Sequence, residues 1–84
     1  MMETGSRDKR KANAMERNEE VYNWIVARIA EGLTIQITTH YRSNLYAKAE
    51  YFKFNASGVF VRAGKGWNCI YAGVKLVDIR AIQY

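Results

Sequence analysis

The chain has 84 residues, of which 49% are apolar and 13% aromatic, and its formal net charge is +5. A chain of this length forms one domain with a modest core, and its apolar content excludes a disordered protein. No apolar run approaches the roughly 18 residues of a membrane span, and no apolar signal segment is visible, so we expect a cytoplasmic protein that does not enter membranes.

The positive charge is concentrated in one part of the chain. Residues 1–20 hold five basic and five acidic side chains, whereas residues 21–84 hold eight basic and three acidic ones. Such an excess suggests an anionic partner such as nucleic acid, and it is equally typical of a small basic surface without that role. Charge alone therefore leaves both interpretations open.

Residues 1–12 are polar and charged, and we predict a flexible basic leader there. The basic cluster Arg7–Lys11 would either attract phosphates or remain a solvated tail or the start of a helix. The leader precedes a single predicted domain over residues 13–84.

Residues 14–31 have the pattern of a helix. Apolar side chains recur at 3.6-residue spacing, and Gly32 follows as a C-terminal cap. Asn13 is a candidate N-cap, although the charged residues before it would also allow an earlier start. The apolar stripe comprises Met15, Tyr22, Ile25, Val26, Ile29 and Leu33.

Trp24 lies opposite this stripe on the predicted helix. An exposed tryptophan on a small domain suggests a contact with a partner or with a second copy of the chain. The alternative is that its ring packs sideways onto the sheet or the leader.

After Gly32 the apolar period changes to two, which predicts five short strands. Aromatic residues on both faces of the second strand indicate that it is bent or bulged. Without a second helix for a parallel crossover, the sheet is expected to be antiparallel. We therefore predict a mostly β fold with one N-terminal helix, arranged as a five-stranded bent antiparallel sheet or small open barrel. The predicted strands are residues 33–41, 45–54, 59–63, 67–72 and 74–82.

Residues suited to catalysis or metal binding are scarce. His40 is the only histidine and Cys69 the only cysteine, which leaves no multi-ligand metal site. A nucleophilic pair of the two is the remaining catalytic alternative, but Cys69 alternates with Trp67 and Tyr71 as a strand residue would. We therefore expect no enzyme, no cofactor and no metal.

Basic and aromatic side chains interleave along the predicted strands. Bases of single-stranded nucleic acid stack on aromatic rings while lysine and arginine contact the phosphates, so the composition is compatible with RNA binding. Most of the aromatic residues must form the core of so short a chain. Tyr41 and Tyr71 are the stronger candidates, because each lies near a strand end beside a loop.

Two short motifs resemble those of a known family. Phe54–Val61 (FNASGVFV) is similar to a Phe-Asp-x-x-x-x-Leu-x-Leu pattern between two strands, and Ile70–Gly73 (IYAG) resembles a tyrosine-containing fourth strand before an apolar fifth one. The family is the Sm-like family of Sm, LSm and bacterial Hfq proteins, whose order of one helix and five strands the chain resembles over most of its length.

The chain departs from the Sm-like pattern at several positions. Asn55 stands where the family has aspartate, Ala72 and Gly73 replace the lysine and histidine that follow the Hfq tyrosine, and Val59 replaces the Sm asparagine. The usual uridine specificity is therefore not expected to carry over. Diverged Sm-like proteins are known from phages, and a phage-encoded member is one hypothesis.

The resemblance implies a homo-oligomeric ring, a pentamer to heptamer, in which the fourth strand of one copy pairs with the fifth strand of the next. It also implies that single-stranded RNA binds at the pore, through the loops at Asn55–Ser57 and Tyr71–Gly73, with the loop around Tyr41 as a further basic surface. The candidate RNA-binding residues are His40, Tyr41, Arg42, Lys53, Asn55, Tyr71 and Lys75.

Two other interpretations remain open. One is a small protein-interaction module, for example a phage-encoded inhibitor of a host factor, that binds its partner through Trp24 without nucleic acid. The other is an open barrel of the SH3 or OB kind that acts as a monomer. The oligomeric state separates the ring from the monomer, and sensitivity of a bound partner to nuclease separates RNA binding from protein binding.

Overall fold

The computed structural model describes residues 6–40 and 42–83, with side chains from Asn13 onward. A single 3-10 turn, Ala49–Tyr51, separates the second strand from the third. One helix and predominantly β structure confirm the coarse fold class. The elements are α1 (Ser6–Ala30), β1 (Thr34–Thr38), β2 (Ser43–Tyr46), β3 (Phe52–Asn55), β4 (Gly58–Ala63), β5 (Gly66–Tyr71) and β6 (Asp78–Ile82).

The helix begins earlier than its apolar pattern predicts. It starts at Ser6, so residues 6–12 of the predicted flexible leader are helical, and Asn13 lies inside the helix instead of at its N-cap. The segment holds four lysine and arginine residues and ends in an alanine, and all three residue types favour helix. The apolar stripe alone could not reveal this extension, because residues 6–12 contain only one alanine among polar residues.

The helix ends where the sequence predicts. Gly32 has a φ of 91°, a left-handed conformation that favours glycine. The Gly32 N–H donates to the carbonyl of Ile29 at 2.9 Å, and the Leu33 N–H donates to that of Arg28 at 3.0 Å. This Schellman-type end satisfies the last carbonyls of the helix and directs the chain into β1.

The strands form two three-stranded antiparallel sheets and not the predicted single five-stranded sheet or barrel. The first sheet has the order β2-β1-β6 and the second sheet the order β3-β4-β5, and no strand pairing joins them in the described residues. The predicted strand 45–54 is the source of the difference, because the 3-10 turn divides it. Tyr51 and Phe52 both pack in or against the core. A straight strand would place these neighbours on opposite faces, so the chain turns between them.

Other predicted strand boundaries change as well. The last strand begins at Asp78 instead of residue 74, because residues 72–77 turn back on β5: Tyr71 and Lys75 form an isolated bridge, and the Leu76 N–H donates to the carbonyl of Ile70 at 3.0 Å. In addition, β1 ends at Thr38 instead of residue 41, and β2 begins at Ser43 instead of residue 45.

The core lies between the helix and the two sheets. The helix contacts β1, β3 and β4 and therefore covers both sheets. Tyr22 on the helix packs against Phe54, with ring centroids 5.0 Å apart. Met15, predicted on the apolar stripe, is exposed instead. The buried apolar side chains are Ile25, Ile35, Ile37, Phe52, Val59, Val61, Ile70 and Ile79.

Within the ranges that the structure describes, no helix has both the length and the apolar character that crossing a membrane requires.

Candidate nucleic-acid interface

The turn between β3 and β4 is attached to the helix. Asn55 and Gly58 pair across a two-residue hairpin, and the Ser57 N–H donates to Asn55 Oδ1 at 2.8 Å. Asn18 on the helix donates from Nδ2 to the carbonyl oxygen of Asn55 at 2.8 Å. Because Asn18 is only 3% exposed, this hydrogen bond is partly shielded from water and links the turn to α1.

Gly58 sets the distance between this turn and β5. A Cβ atom at Gly58 would collide with the carbonyl oxygen of Tyr71 and would lie 3.0 Å from Cys69 Sγ. Only glycine therefore allows the two backbones to approach this closely. The register of β4 and β5 also shifts between Val59 and Phe60, which is typical of a bulge that bends the strand. The turn at residues 55–58 and the segment after Tyr71 consequently lie side by side.

Two cavities lie between the helix and residues 71–79, and together they form what we call the helix groove. The larger has a volume of about 420 Å³ and is lined by Glu20, Val21, Trp24, Tyr71, Lys75 and Ile79. The smaller, of about 250 Å³, is lined by Ala14, Arg17, Asn18, Ala56, Ser57, Ala72 and Gly73. Both loops that the resemblance singled out thus border the groove.

The helix groove combines aromatic rings with charged side chains, of which Arg17 and Lys75 are positive and Glu20 is negative. Trp24 is 42% exposed, and the guanidinium of Arg28 lies 5.5 Å from its ring centroid. Tyr71 is half-buried against the core, while Arg17 and Lys75 are exposed at the lining. Rings that accept a stacked base, next to cations that contact phosphates, are the components of single-strand binding sites.

Lys75 connects the groove to the turn between β1 and β2. It also lines a cavity of about 360 Å³ together with the exposed His40 and with Asp78. Arg42 lies in the same turn, where its carbonyl accepts the Thr39 N–H at 2.9 Å. Its side chain, however, borders a different cavity, of about 340 Å³, that residues of both sheets line. Tyr41 lies outside the described residues.

Lys53 lies on the outer face of the second sheet, away from the helix groove. Its Nζ is 4.6 Å from the ring centroid of Trp67 and 5.6 Å from that of Phe60. The predicted residues therefore do not form one site. Tyr71 and Lys75 line the groove, Asn55 immediately precedes the lining residues Ala56 and Ser57, and His40 adjoins the groove, whereas Arg42 and Lys53 occupy other surfaces.

The sequence interpretation missed two residues of these surfaces. Asn18 escaped notice because the helix stripe was drawn from apolar residues alone, yet it precedes the buried Ile25 by seven positions and so shares its face. Trp67 was not assigned a site, although a two-residue turn at Gly64–Lys65 already places it opposite Arg62. Turn length was the available signal.

The described residues contain no group of three histidine, cysteine, aspartate or glutamate side chains placed to hold a metal ion. Cys69 is a free thiol that contacts the carbonyl oxygen of Tyr71 at 3.4 Å. His40 and Cys69 line different cavities.

Comparisons with protein-family models, with curated proteins and with solved structures gave no significant match to this chain.

Proposed function

We propose that this chain is an Sm-like RNA-binding module that forms a homo-oligomeric ring and binds single-stranded RNA in the helix groove. One observation carries the proposal: the turn at residues 55–58 and the segment Tyr71–Lys75 converge on a groove that holds two aromatic rings and two cations. These are the loops at which the family resemblance implies RNA binding.

The chemistry of the groove suits a single strand. An unpaired base stacks on Tyr71 or Trp24, and Lys75 and Arg17 contact the flanking phosphates. Asn55 Oδ1 is engaged by the Ser57 N–H, so the Nδ2 group is the part of this side chain that donates to a base. An aspartate, as in the family pattern, has no such donor. A preference other than the family's usual one is therefore expected.

Ring assembly is supported by the free edges of the two sheets. Among the described strands β5 pairs with β4 alone, and segment 72–77 of the same chain meets its other edge only at Ile70 and Tyr71. The strand carries no charged side chain that would discourage a further strand. β6 likewise has one open edge. Val74 and Leu76, which lie between these strands in the chain, are 63% and 52% exposed. Pairing of β5 with β6 of the next copy would satisfy both edges and cover these residues.

Titration with RNA tests the ligand. Oligo(U) and oligo(A) are titrated at about 50 mM and about 200 mM salt, and affinity is expected to fall steeply between the two. Lys75→Gln should weaken binding and lower the salt slope by about one. Lys48→Gln is the matched control, because Lys48 is exposed and lies between β2 and the 3-10 turn. Absence of binding at the lower salt would refute the RNA proposal.

Light scattering coupled to gel filtration tests the ring. A mass corresponding to a pentamer, hexamer or heptamer is expected for the wild-type chain. Leu76→Glu should shift the mass toward the monomer, because it places a charge on the exposed apolar segment beside the free edge. If the wild-type protein is monomeric at all concentrations, the ring proposal is refuted. The RNA titration then decides whether a single domain binds RNA.

The exposure of Trp24 supports a second candidate function, a protein-interaction module such as an inhibitor of a host factor. A large aromatic side chain at 42% exposure beside an apolar groove is typical of a contact hot spot. Pull-down from host lysate with and without nuclease separates the candidates. Partners lost on nuclease treatment favour RNA binding. A stoichiometric protein that survives nuclease and is lost with Trp24→Ala favours the interaction module.

A further inference from the structure

The outer, solvent-facing side of the second sheet carries aromatic rings and cations. Cross-strand register places Lys53 opposite Phe60 and Arg62 opposite Trp67, and partners in a sheet project from the same face. The alternating residues Val59 and Val61 are buried on the core side. We call four of the residues on this face, Lys53, Phe60, Arg62 and Trp67, the cation–aromatic face; Cys69, the partner of Phe60, projects from the same side.

The contacts on this face are specific. Lys53 Nζ lies 4.6 Å from the ring centroid of Trp67 and 5.6 Å from that of Phe60. A cation at these distances is held by the π-face of a ring, which is the surface that a planar base also contacts. Trp67 is 39% exposed, so part of its ring is open to solvent. The Lys53 side chain is flexible, so its ammonium group can move to a phosphate when a base stacks on the ring in its place.

Charge identifies the kind of ligand. Residues 51–77 contain Lys53, Arg62, Lys65 and Lys75 and no aspartate or glutamate. Lys65 sits in the turn at the end of this sheet, beside Trp67 in the chain. Every charged side chain that this stretch presents is therefore positive, which complements an anionic partner. The combination with exposed rings favours nucleic acid over other anions, because bases and phosphates use both components.

We propose that the cation–aromatic face is a second binding surface for single-stranded nucleic acid. An unpaired base stacks on Trp67, Phe60 extends the apolar floor on the neighbouring strand, and Arg62 and Lys53 contact the phosphates on either side. Paired bases in a duplex do not offer their faces, so a single strand is selected. The inference rests on the proposed function for its class of ligand, but it uses a different surface from the helix groove and needs no ring.

The two tryptophans provide a separate reporter for each surface. Trp24 lines the helix groove and Trp67 lies on the cation–aromatic face, and the chain has no other tryptophan. In Trp24→Phe protein the fluorescence comes from Trp67 alone, and in Trp67→Phe protein from Trp24 alone. Each is titrated at low salt with an oligo(A) RNA of about 12 nucleotides, long enough for one binding module. Stacking of a base on Trp67 is expected to quench the tryptophan fluorescence of the Trp24→Phe protein, and the quenching should saturate as RNA is added.

Affinity measurements on variants of Trp67 and of Lys53 complete the test. Trp67→Leu keeps an apolar side chain but removes the π-face, and it should weaken binding by roughly 5- to 100-fold, whereas Trp67→Phe should retain most of the affinity. Lys53→Gln should cost a few-fold and lower the salt slope by about one. Circular dichroism and thermal melting of each variant confirm that the fold is intact before affinities are compared.

The outcomes separate the two surfaces. Quenching of Trp67 together with the loss in Trp67→Leu supports the second surface. Quenching confined to Trp24, with wild-type affinity in a folded Trp67→Leu protein, overturns it and leaves the helix groove as the binding site. Quenching of Trp67 alone supports the second surface and counts against the groove. Equal competition by poly-glutamate of matched charge overturns base recognition, because it shows a general anion surface. No binding to either reporter at low salt overturns both proposals.

Discussion

The two sheets are of equal strand number but are assembled differently. The second sheet is joined by two tight hairpins, with Asn55 opposite Gly58 and Ala63 opposite Gly66. The first sheet is closed by β6, which reaches β1 from the far end of the chain so that Thr34 pairs with Ile82. One sheet is therefore built from neighbours in sequence, and the other depends on a long-range closure.

The sheets also differ in charge. The second sheet and its turns carry Lys53, Arg62 and Lys65 and no acidic residue. On β6 of the first sheet, by contrast, Arg80 Nε lies 3.0 Å from Asp78 Oδ2, an exposed ion pair that neutralises itself. The comparison indicates that the locally folded sheet is also the one that presents unbalanced positive charge. A nucleic-acid surface on it would be formed by few and short-range contacts.

The largest effect is expected from shortening a buried isoleucine in each sheet. Ile70→Ala in β5 should lower the free energy of unfolding by about 3 to 5 kcal/mol, since the side chain is 1% exposed and a cavity would remain. Ile79→Ala in β6 should cost about 2 to 3 kcal/mol, because Ile79 borders the helix groove and its neighbours can move in. Urea denaturation measures both. A larger loss at Ile79 would show that the long-range closure carries the stability.

Gly58→Ala tests whether the close approach of β4 and β5 is needed. The added methyl group would meet the carbonyl oxygen of Tyr71, a backbone atom that cannot move alone. We expect a loss of about 2 to 3 kcal/mol by urea denaturation. Gly66→Ala is the matched control, since a Cβ there has no heavy atom within 4 Å, and it should stay within about 0.5 kcal/mol of wild type. Gly58 also has a φ of 157°, which alanine rarely adopts, and this adds to the expected loss. A Gly58→Ala protein as stable as Gly66→Ala would show that the close approach is not needed.

The contrast between the sheets also explains how much of the fold the sequence could predict. The helix end at Gly32, the turn at residues 55–58 and the strands β4 and β5 depend on local signals, and their predictions were close. The division of the strand at residues 49–51 depends on where Tyr51 and Phe52 find the core, which is set by the helix packed against them. The start of β6 at Asp78 depends on its pairing with β1. Neither the division of the strand nor the start of β6 can be predicted from a short stretch of sequence.

The candidate site shows the same difference between residues that local motifs predict and residues whose position depends on the fold. Asn55 and Tyr71 were predicted from loops and a family pattern; Tyr71 lines the helix groove, and Asn55 immediately precedes Ala56, which also lines it. Lys53 and Arg42 were included because basic residues next to aromatic ones suit RNA, but composition carries no information on which face of a sheet a residue occupies. The lengths of the turns set the register of the strands and so decide which face each residue occupies. This register places Lys53 on the same face as Phe60 and Trp67.

A smaller effect is expected at the hydrogen bond that links the helix to the second sheet. Asn18→Ala removes the donor to the Asn55 carbonyl and leaves that oxygen partly buried, which should cost about 1 to 2 kcal/mol. Asn23→Ala is the control on the same helix: Asn23 is exposed, and alanine should leave stability unchanged or raise it by up to about 0.5 kcal/mol. If both variants melt at the wild-type temperature, the link does not contribute to stability.

The smallest effect on stability is expected at Asn55, where turn formation and base recognition use different atoms of one side chain. Asn55→Ala removes the acceptor for the Ser57 N–H and should cost about 0.5 to 1 kcal/mol, because the turn is exposed. Asn55→Asp keeps that acceptor and should melt within about 0.5 kcal/mol of wild type. Both variants lose the Nδ2 donor, so both should bind oligo(A) more weakly in the same titration. If Asn55→Asp is as unstable as Asn55→Ala, the Oδ1 acceptor does not hold the turn. If Asn55→Asp instead binds RNA as tightly as wild type, Nδ2 does not contact the base, and the turn borders the groove for structural reasons alone.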